Sequence, residues 1–593
     1  MNAVRRSPVL LPVMWLAVTL VVLAAPYAGL LDESWTHQLI LVALLALIVS
    51  GLNISFGHAG ELSFASAAMY GAGAYVSGYL AMEVLNDFAL ALVVSAVVGL
   101  LLGLLTGVPG LRLGGWMLAV ASFFLVLLVP DVVQIFSEQT GGNQGMSGIP
   151  LPELFGFELG DTGLYVVTVL VTSAWFALFR NLVVSRLGRS LTVLRESPVL
   201  ASSLGISVFG LKLKAYALSG LPAAMAGTIF AYLNGFNAPG SFGIELTMAV
   251  LTASILGGSR SVYGVFLGAA VMQLGPMRTT AFGDYALIAY GVLLVIVGVL
   301  IPGGIVGLVR RRRRTAQPAT TAAGQAEATA RLTMPGRRLE VSGVSKDFGG
   351  VRALTGAGFV AGPGEVVALI GPNGSGKTTL LNLISGFYRV DAGTVRLDGV
   401  TVSGRPAAAV ARAGVRRTFQ TPLIPGMSVR EVVASGRFSL DRAGIVATVL
   451  RLPRYRRALR RDRAAADEML AAAGLSGVAA HRADALPLGT RRVVELARAL
   501  AGEPAVLLLD EAASGLDEKE VAALAALVRA VRDGGGTVVL VEHDFGLVRS
   551  LADRVVVLSQ GQVVTEGTPA EIAVHPEVLQ HYLGAPGGVE ARA

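Results

Sequence analysis

"EVVALIGPNGSGKTTLLNLISG", residues 365–386, reads as a β-branched strand that runs through a glycine loop into a helix. Its centre has the spacing GxxxxGK[ST]: Gly371, Pro372, Asn373, Gly374, Ser375, Gly376, Lys377 and Thr378, followed by Thr379. Glycines let a backbone turn several N–H groups onto phosphate oxygens at a helix N-terminus, where the peptide dipoles also favour negative charge. In that setting Lys377 is placed to reach the β- and γ-phosphates and Thr378 to ligate Mg²⁺. The stretch therefore predicts an α/β nucleoside-triphosphate fold, and the rest of such a site should lie downstream.

It does. "AVLLLDEA" (505–512) is an apolar strand ending in two acids. Asp510 is placed to hold the Mg²⁺ shell, and Glu511 to orient or deprotonate an attacking water, because phosphoryl transfer is mainly positioning and charge stabilisation. "TVVLVEHD" (537–544) is a second strand, with His543 at its tip as a γ-phosphate contact. Gln420, after "RRTF", completes the set and is expected to join Thr378 and Asp510 around Mg²⁺, partly through water. "LPLGTRRVVELARAL" (486–500) precedes the Asp510 strand by about 20 residues, and Leu486 and Gly489 open an amphipathic helix whose N-terminal amides can face phosphate.

The first half is a different kind of polymer. The 593 residues are 53% hydrophobic and 15% charged, but residues 1–309 are mostly apolar runs and the chain from Arg310 onward mixes charge like a soluble protein. Runs near 8–30, 37–56, 61–82, 87–111, 115–136, 163–180, 211–235, 245–258, 261–275 and 284–309 predict about ten crossings. The first run follows Arg5 and Arg6 like a signal peptide, yet its length suits a spanning helix. Arginines and lysines gather at 180–214 and 310–314, which puts those stretches and both termini in the cytoplasm. The same rule accounts for the net charge of +8 without nucleic acid. With no cysteine and no metal spacing among six histidines, any metal must come with a substrate. Glu61 is an acid at or near membrane depth, read as an interfacial residue or a transport residue. "TGGNQGMSGIP" (140–150) reads as a flexible outer loop suited to docking or substrate access, or as a plain solvated turn.

The soluble motifs, in this order and spacing, resemble the ATPase domain of ABC transporters. That resemblance implies that Phe348 of "KDFGG" stacks on adenine and that Gln420 links nucleotide to the membrane domain. It also implies that Asp517 of "SGLD" faces a partner domain, and that Leu486-Pro487-Leu488-Gly489-Thr490 is an altered LSGGQ signature serving the partner's ATP. More narrowly, the ATPase is similar to the LivG type of the branched-chain amino acid importers. "FGHAGELSFASAAMYGAGAY", "TGGNQGMSGIP", "GRSLTVLRESPVLASSLGISVFGLKLKAYALSGLPAAMAG" and "LTASILGGSRSVYGVFLGA" are similar to the LivM permease type.

The implied architecture is a polytopic α-helical membrane domain (1–314) followed by a polar linker (315–338). An α/β P-loop NTPase domain of the ABC type (339–586) comes next, with a helical subdomain near 424–495, and then a tail (587–593). The helical subdomain contains "RLPRYRRALRRDR" (451–463), read as a solvated face. A short helix around "RESPVLASSLGI" would dock on the ATPase beside Gln420 and carry its closure to the membrane helices. The implied activity is ATP-driven uptake of hydrophobic amino acids across a bacterial cytoplasmic membrane, with ATP and Mg²⁺ as cofactors. Implied partners are an external solute-binding protein and either LivH-like and LivF-like subunits or a second copy. Urea, short amides or aromatic compounds are alternative substrates. Export, or a nucleotide-gated sensor with little hydrolysis, are the competing functions.

Overall fold

The computed structural model describes residues 10–29, 31–113, 116–275, 332–418, 426–440 and 444–578, with short pieces between 285 and 307. The chain forms two compact units, Met1–Leu191 with Phe209–Gln317, and Thr192–Val208 with Pro318–Ala593.

In the first unit, five helices among the described residues are long and apolar enough to cross a membrane. They are Glu33–His58, Phe88–Arg112, Asp161–Val184, Val208–Asn234 and Pro239–Gly257. Met117–Leu127 and Val129–Ile135 count as a sixth span if taken together, bent by 44°. Pro130 lies in the first turn after that bend, where its missing N–H interrupts the helical ladder. The region 245–275 is broken into Ile244–Gly257 and Gly264–Leu274, with Gly258 in a left-handed conformation at φ 95°. The apolar stretch at 284–309 is described only in fragments, and the arginines at 310–314 lie outside the described residues.

Small residues set how closely these helices approach, since lipid offers no hydrophobic drive for helix association and packing must supply it. A Cβ on Gly73 would stand 2.1 Å from the Ala224 carbonyl oxygen, and one on Gly227 would stand 2.1 Å from that of Tyr70. Hydroxyls join the same seam: Ser77 Oγ donates to Thr228 Oγ1 at 2.8 Å, and Ser95 Oγ lies 2.5 Å from that atom. Gly227→Val must therefore separate two backbones. Its expected result is loss of monodisperse, detergent-extracted protein, whereas Gly240→Ala, with nothing within 4 Å of the added Cβ, should leave the yield unchanged.

Two polar features of this unit acquire partners. Glu61 pairs with Lys212 of the helix Val208–Asn234, which supplies the counter-charge a part-buried acid needs. The 140–150 loop is a folded structure tied at both ends. Met146 and Ser147 pair with Asn237 and Phe236, and Gln134 Oε1 accepts from Asn143 N at 3.1 Å. Gly145, at φ 81°, leaves no room for a side chain, because a Cβ would lie 2.6 Å from the Asn237 oxygen.

In the second unit a six-stranded sheet runs Val415–Arg417, Val506–Asp510, Thr537–Val541, Val366–Ile370, Arg554–Ser559, Gln562–Gly567. All its neighbours are parallel except the last pair. Val366–Ile370 is buried at every residue, the continuous apolar run expected of a parallel strand covered on both faces. A second sheet of four strands is antiparallel, in the order Val351–Ala361, Leu339–Phe348, Ala392–Leu397, Val400–Thr401. One core, including Leu354, Leu369, Leu380, Leu508, Val539 and Val556, joins the two sheets to the helix after the glycine loop. Helices Val429–Ser435, Pro453–Ala472 and Leu488–Ala501 pack on one another beside the sheet. Within the stretch read as a linker, residues 315–331 lie outside the described residues, while Leu332 and Met334 are buried and Met334 N donates to Gly534 O. Two apolar side chains in an otherwise polar stretch explain why its end is seated.

Candidate nucleotide site

The glycine loop is shaped by positions that admit no side chain. Gly371 and Gly376 have φ of 150° and 102°, and a Cβ on them would come within 2.0 Å of Leu558 O and 2.8 Å of Ala353 O. Gly374, at φ 82°, faces open space instead. Lys377 begins the helix Lys377–Ile384, and its ammonium donates to the carbonyl oxygens of Gly371 (2.7 Å) and Pro372 (2.9 Å). Burial lowers its pKa, and the charges of Glu511 and Asp510 oppose that shift. The hydroxyl of Ser375 is buried in the loop with no hydrogen-bond partner among the described residues, a donor left over for an oxyanion. Thr378 and Thr379 follow Lys377 in the first turn of that helix, and Asn373 lies in the loop itself.

Asp510 ends its strand beside Thr537–Val541, the strand that leads to His543. His543 Nε2 lies 2.7 Å from Glu511 Oε1. Glu511 has φ 47°, a left-handed conformation costly for a side-chain-bearing residue. Two bonds hold it there: its N–H donates to Val541 O at 2.9 Å, and Arg492 Nη1 donates to its carbonyl oxygen at 2.8 Å. Behind the pair, Glu542 Oε1 accepts from Ala513 N at 2.8 Å, and burial pushes the Glu542 pKa up.

Some side chains that contact the expected site residues were not singled out by the sequence. Arg417 is one: Nη2 lies 2.7 Å from Asp510 Oδ2, and Nη1 lies 2.6 Å from Asn382 Oδ1 on the glycine-loop helix. Tyr388 is another, packed edge-on against Phe348 with ring centroids 5.2 Å apart. Both rings are exposed, and Lys346 Nζ lies 5.4 Å from the centre of the Phe348 ring. An arginine three residues before a glutamine, or a tyrosine four residues after a helix, carries no spacing signature, so only folding reveals them.

The altered signature begins its helix at Leu488, with Pro487 in the capping position and no side-chain cap. Leu486 is buried and Leu488 exposed. Gly489 faces Glu520, whose carboxylate would lie 1.8 Å from an added Cβ. Glu520 and Asp517 form a capping box at the start of Glu518–Asp533. Arg492, from the signature helix, reaches the Glu511 and Ala512 carbonyls, so this helix is fastened to the end of the Asp510 strand. Gln420 lies outside the described residues.

The segment Thr192–Val208 belongs to this second unit. Ser197 caps the short helix Pro198–Ser203, which packs on Ala407–Arg412. Arg412 Nη1 donates to Gly205 O at 2.8 Å, and Arg416 Nη1 to Ser203 O at 3.2 Å. Arg416 and Arg417 are consecutive in one strand, so they point to opposite faces. One arginine reaches this segment and its neighbour reaches Asp510. Burial pushes the Arg416 pKa down to about 10.

These residues fit a magnesium-bound nucleoside triphosphate. The loop presents backbone donors and a lysine, while Thr378 and Asp510 supply the hard oxygens that Mg²⁺ takes together with phosphate.

Comparison with known proteins agrees on both units. The family described as "Branched-chain amino acid transport system / permease component" matches residues 35–300, and "ABC transporter" matches 354–514. The chain is 39% identical over 248 residues to the high-affinity branched-chain amino acid transport ATP-binding protein BraF of Pseudomonas aeruginosa, spanning 42% of this chain and 97% of BraF. It is 38% identical over the same length to LivG of Escherichia coli, again 42% and 97%. A crystal structure of a nucleotide-free ATP-binding cassette from an ABC transporter is 28% identical, covers 42% of this chain and 99% of its own, and has a TM-score of 0.37. The chain belongs to the ABC transporters of the branched-chain amino acid family, with a permease component and an ATP-binding component fused in one polypeptide.

Proposed function

We propose that this chain drives import of branched-chain or other hydrophobic amino acids across the bacterial cytoplasmic membrane, fed by an external solute-binding protein. The observation that carries the ATPase half is the Glu511–His543 contact of 2.7 Å at the ends of two adjacent strands, with Lys377 close enough to feel the Glu511 charge. The fused permease half gives that ATPase its task.

Bound ATP supplies the bond that is broken, and Mg²⁺ spreads the charge of its phosphates. The chain's own residues do the rest. Gly371 and Asn373 to Gly376 donate backbone N–H groups, Pro372 having none, while Lys377 leaves the Gly371 and Pro372 carbonyls for phosphate oxygens. Thr378, Asp510 and Gln420 would hold the metal. Glu511 accepts the proton of the attacking water, and His543 orients Glu511 and the γ-phosphate. Phe348 covers the adenine. The loop that carries Leu486 and Gly489 faces the nucleotide site of a partner ATPase together with Asp517, with Leu486 and Gly489 buried beside the exposed Pro487 and Leu488. Such machines use paired ATPases and paired permeases, so the chain assembles with LivH-like and LivF-like subunits or with itself. Pro487 stands where the signature serine would be, so the two composite sites turn over unequally.

Phe348→Ala is expected to weaken ATP binding about tenfold, within the 1–3 kcal/mol of a base stacked on an aromatic ring. Fluorescent-nucleotide titration measures this, and a mild Phe348→Ala beside a severe Tyr388→Ala would give the adenine to Tyr388. The function as a whole is tested in proteoliposomes holding the chain, its partner subunits and the solute-binding protein. Labelled leucine should enter only with binding protein outside and ATP at the cytoplasmic face. Uptake of urea or amides but not leucine would refute the substrate. Nucleotide binding with neither uptake nor hydrolysis would refute the pump in favour of a sensor.

A further inference from the structure

The arginine-rich stretch at 451–463 takes no part in the nucleotide chemistry, and its structure shows more than a solvated face. A short helix, Ile445–Val449, turns sharply at Arg451 (φ 52°) into the twenty-residue helix Pro453–Ala472. The corner is fixed: Leu452 N donates to Ala447 O at 2.9 Å, and Arg456 Nε to Arg451 O at 2.9 Å. On the long helix Tyr455, Ala458, Asp462, Ala466 and Met469 are buried, which is one face at helical spacing. Arg454, Arg456, Arg457, Arg460, Arg461 and Arg463 occupy the exposed remainder. Of these, Arg454, Arg457, Arg460 and Arg463 make no ion pair or hydrogen bond among the described residues. Asp462, the one acid in the stretch, is buried and faces Arg437 at 3.6 Å. Next to the arginines, Val446, Leu450 and Leu452 are 66%, 53% and 43% exposed. A solvated helix has no use for three bare aliphatic side chains at its turn.

We propose that this corner, Val446 to Arg463, is a lipid-contact site, with the aliphatic tips in the interfacial layer of an anionic bilayer and the arginines on its phosphate headgroups. Basic residues beside exposed aliphatics are the pattern that such surfaces bind. Guanidinium groups match phosphate in charge and fork geometry, and act within a Debye length of about 8 Å at physiological ionic strength. Position supports the same occupant. Arg437, which faces Asp462, is two residues from Ser439, and Ser439 lies against Gly205 and Arg416. Three residues after Gly205 the chain enters Val208–Asn234, a helix long and apolar enough to cross a membrane. The ridge thus belongs to the same compact unit as the segment from which the chain continues into that helix, and such covalent tethering makes even weak lipid affinity effective. The inference goes beyond the transport reaction and needs only that the first unit lies in a bilayer.

The chain has no cysteine, so Val446→Cys creates a unique labelling position. The full chain carrying an environment-sensitive fluorophore there is placed in nanodiscs doped with nitroxide-bearing lipid. Quenching should be roughly threefold or more stronger with phosphatidylglycerol than with phosphatidylcholine alone, and should fade at high salt. It should also be lost when Arg454, Arg457, Arg460 and Arg463 are all changed to glutamine, with nucleotide binding reporting that the variant is folded. If that variant does not fold, the lipid and salt comparisons decide by themselves. Equal quenching in both lipids, or none in either, overturns the proposal. Shielding that appears only on adding partner subunits, whatever the lipid, assigns the surface to a protein contact and overturns it too.

Discussion

Glu511→Gln should lower ATP turnover at this chain's site by about 100- to 10,000-fold, the range contributed by a positioned general base, while ATP still binds. The substitution isolates the proton-accepting role because it changes little else. Glutamine has the same shape, can keep a hydrogen bond to His543 across 2.7 Å, and tolerates φ 47° as well or as badly as glutamate does. The bonds that hold the Glu511 backbone, from its N–H to Val541 O and from Arg492 to its carbonyl, do not involve the side chain. Phosphate release is measured in the assembled transporter after the partner subunit's own site has been disabled, and nucleotide binding is titrated separately. A variant within about threefold of the parent would show that Glu511 is not the base, since even weak general-base catalysis exceeds that factor.

Arg417→Ala should destabilise the ATPase unit by about 3 kcal/mol, the lower end of the cost of stripping one partner from a buried ion pair. Arg417 and Asp510 are 2.7 Å apart, with side chains only 5% and 13% exposed. Without the guanidinium, the part-buried Asp510 loses its counter-charge, and Asn382 loses its 2.6 Å contact. Arg417→Lys should fall between, since one ammonium cannot serve both Asp510 and Asn382 as a planar fork does. The effect should depend on ligand in a telling way. A divalent cation with nucleotide supplies charge at the same carboxylate, so Mg²⁺ with a non-hydrolysable ATP analogue should raise the apparent melting temperature of Arg417→Ala more than that of the parent. Equal increments in both would mean that the arginine and the metal do not share Asp510.

The sequence by itself determined the chemistry that depends on local spacing. A glycine loop, a strand ending in two acids and a strand tipped by histidine each specify their function within about ten residues, because backbone conformation and side-chain type are local properties. Hydrophobic run length in the same way marked the membrane half, since the bilayer sets a length and not a contact. Tertiary structure alone decided the pairings made across long stretches of chain. Arg417 meets Asp510 from 93 residues away, Glu61 finds Lys212, the 140–150 loop is tied to 236–237, and Arg416 reaches Ser203. Sequence shows that a charge is present but not which opposite charge folding will bring to it. The arginines at 451–463 make the same point: composition reads them as solvated, and only the corner that bares Val446, Leu450 and Leu452 beside them turns the run into a surface with a partner.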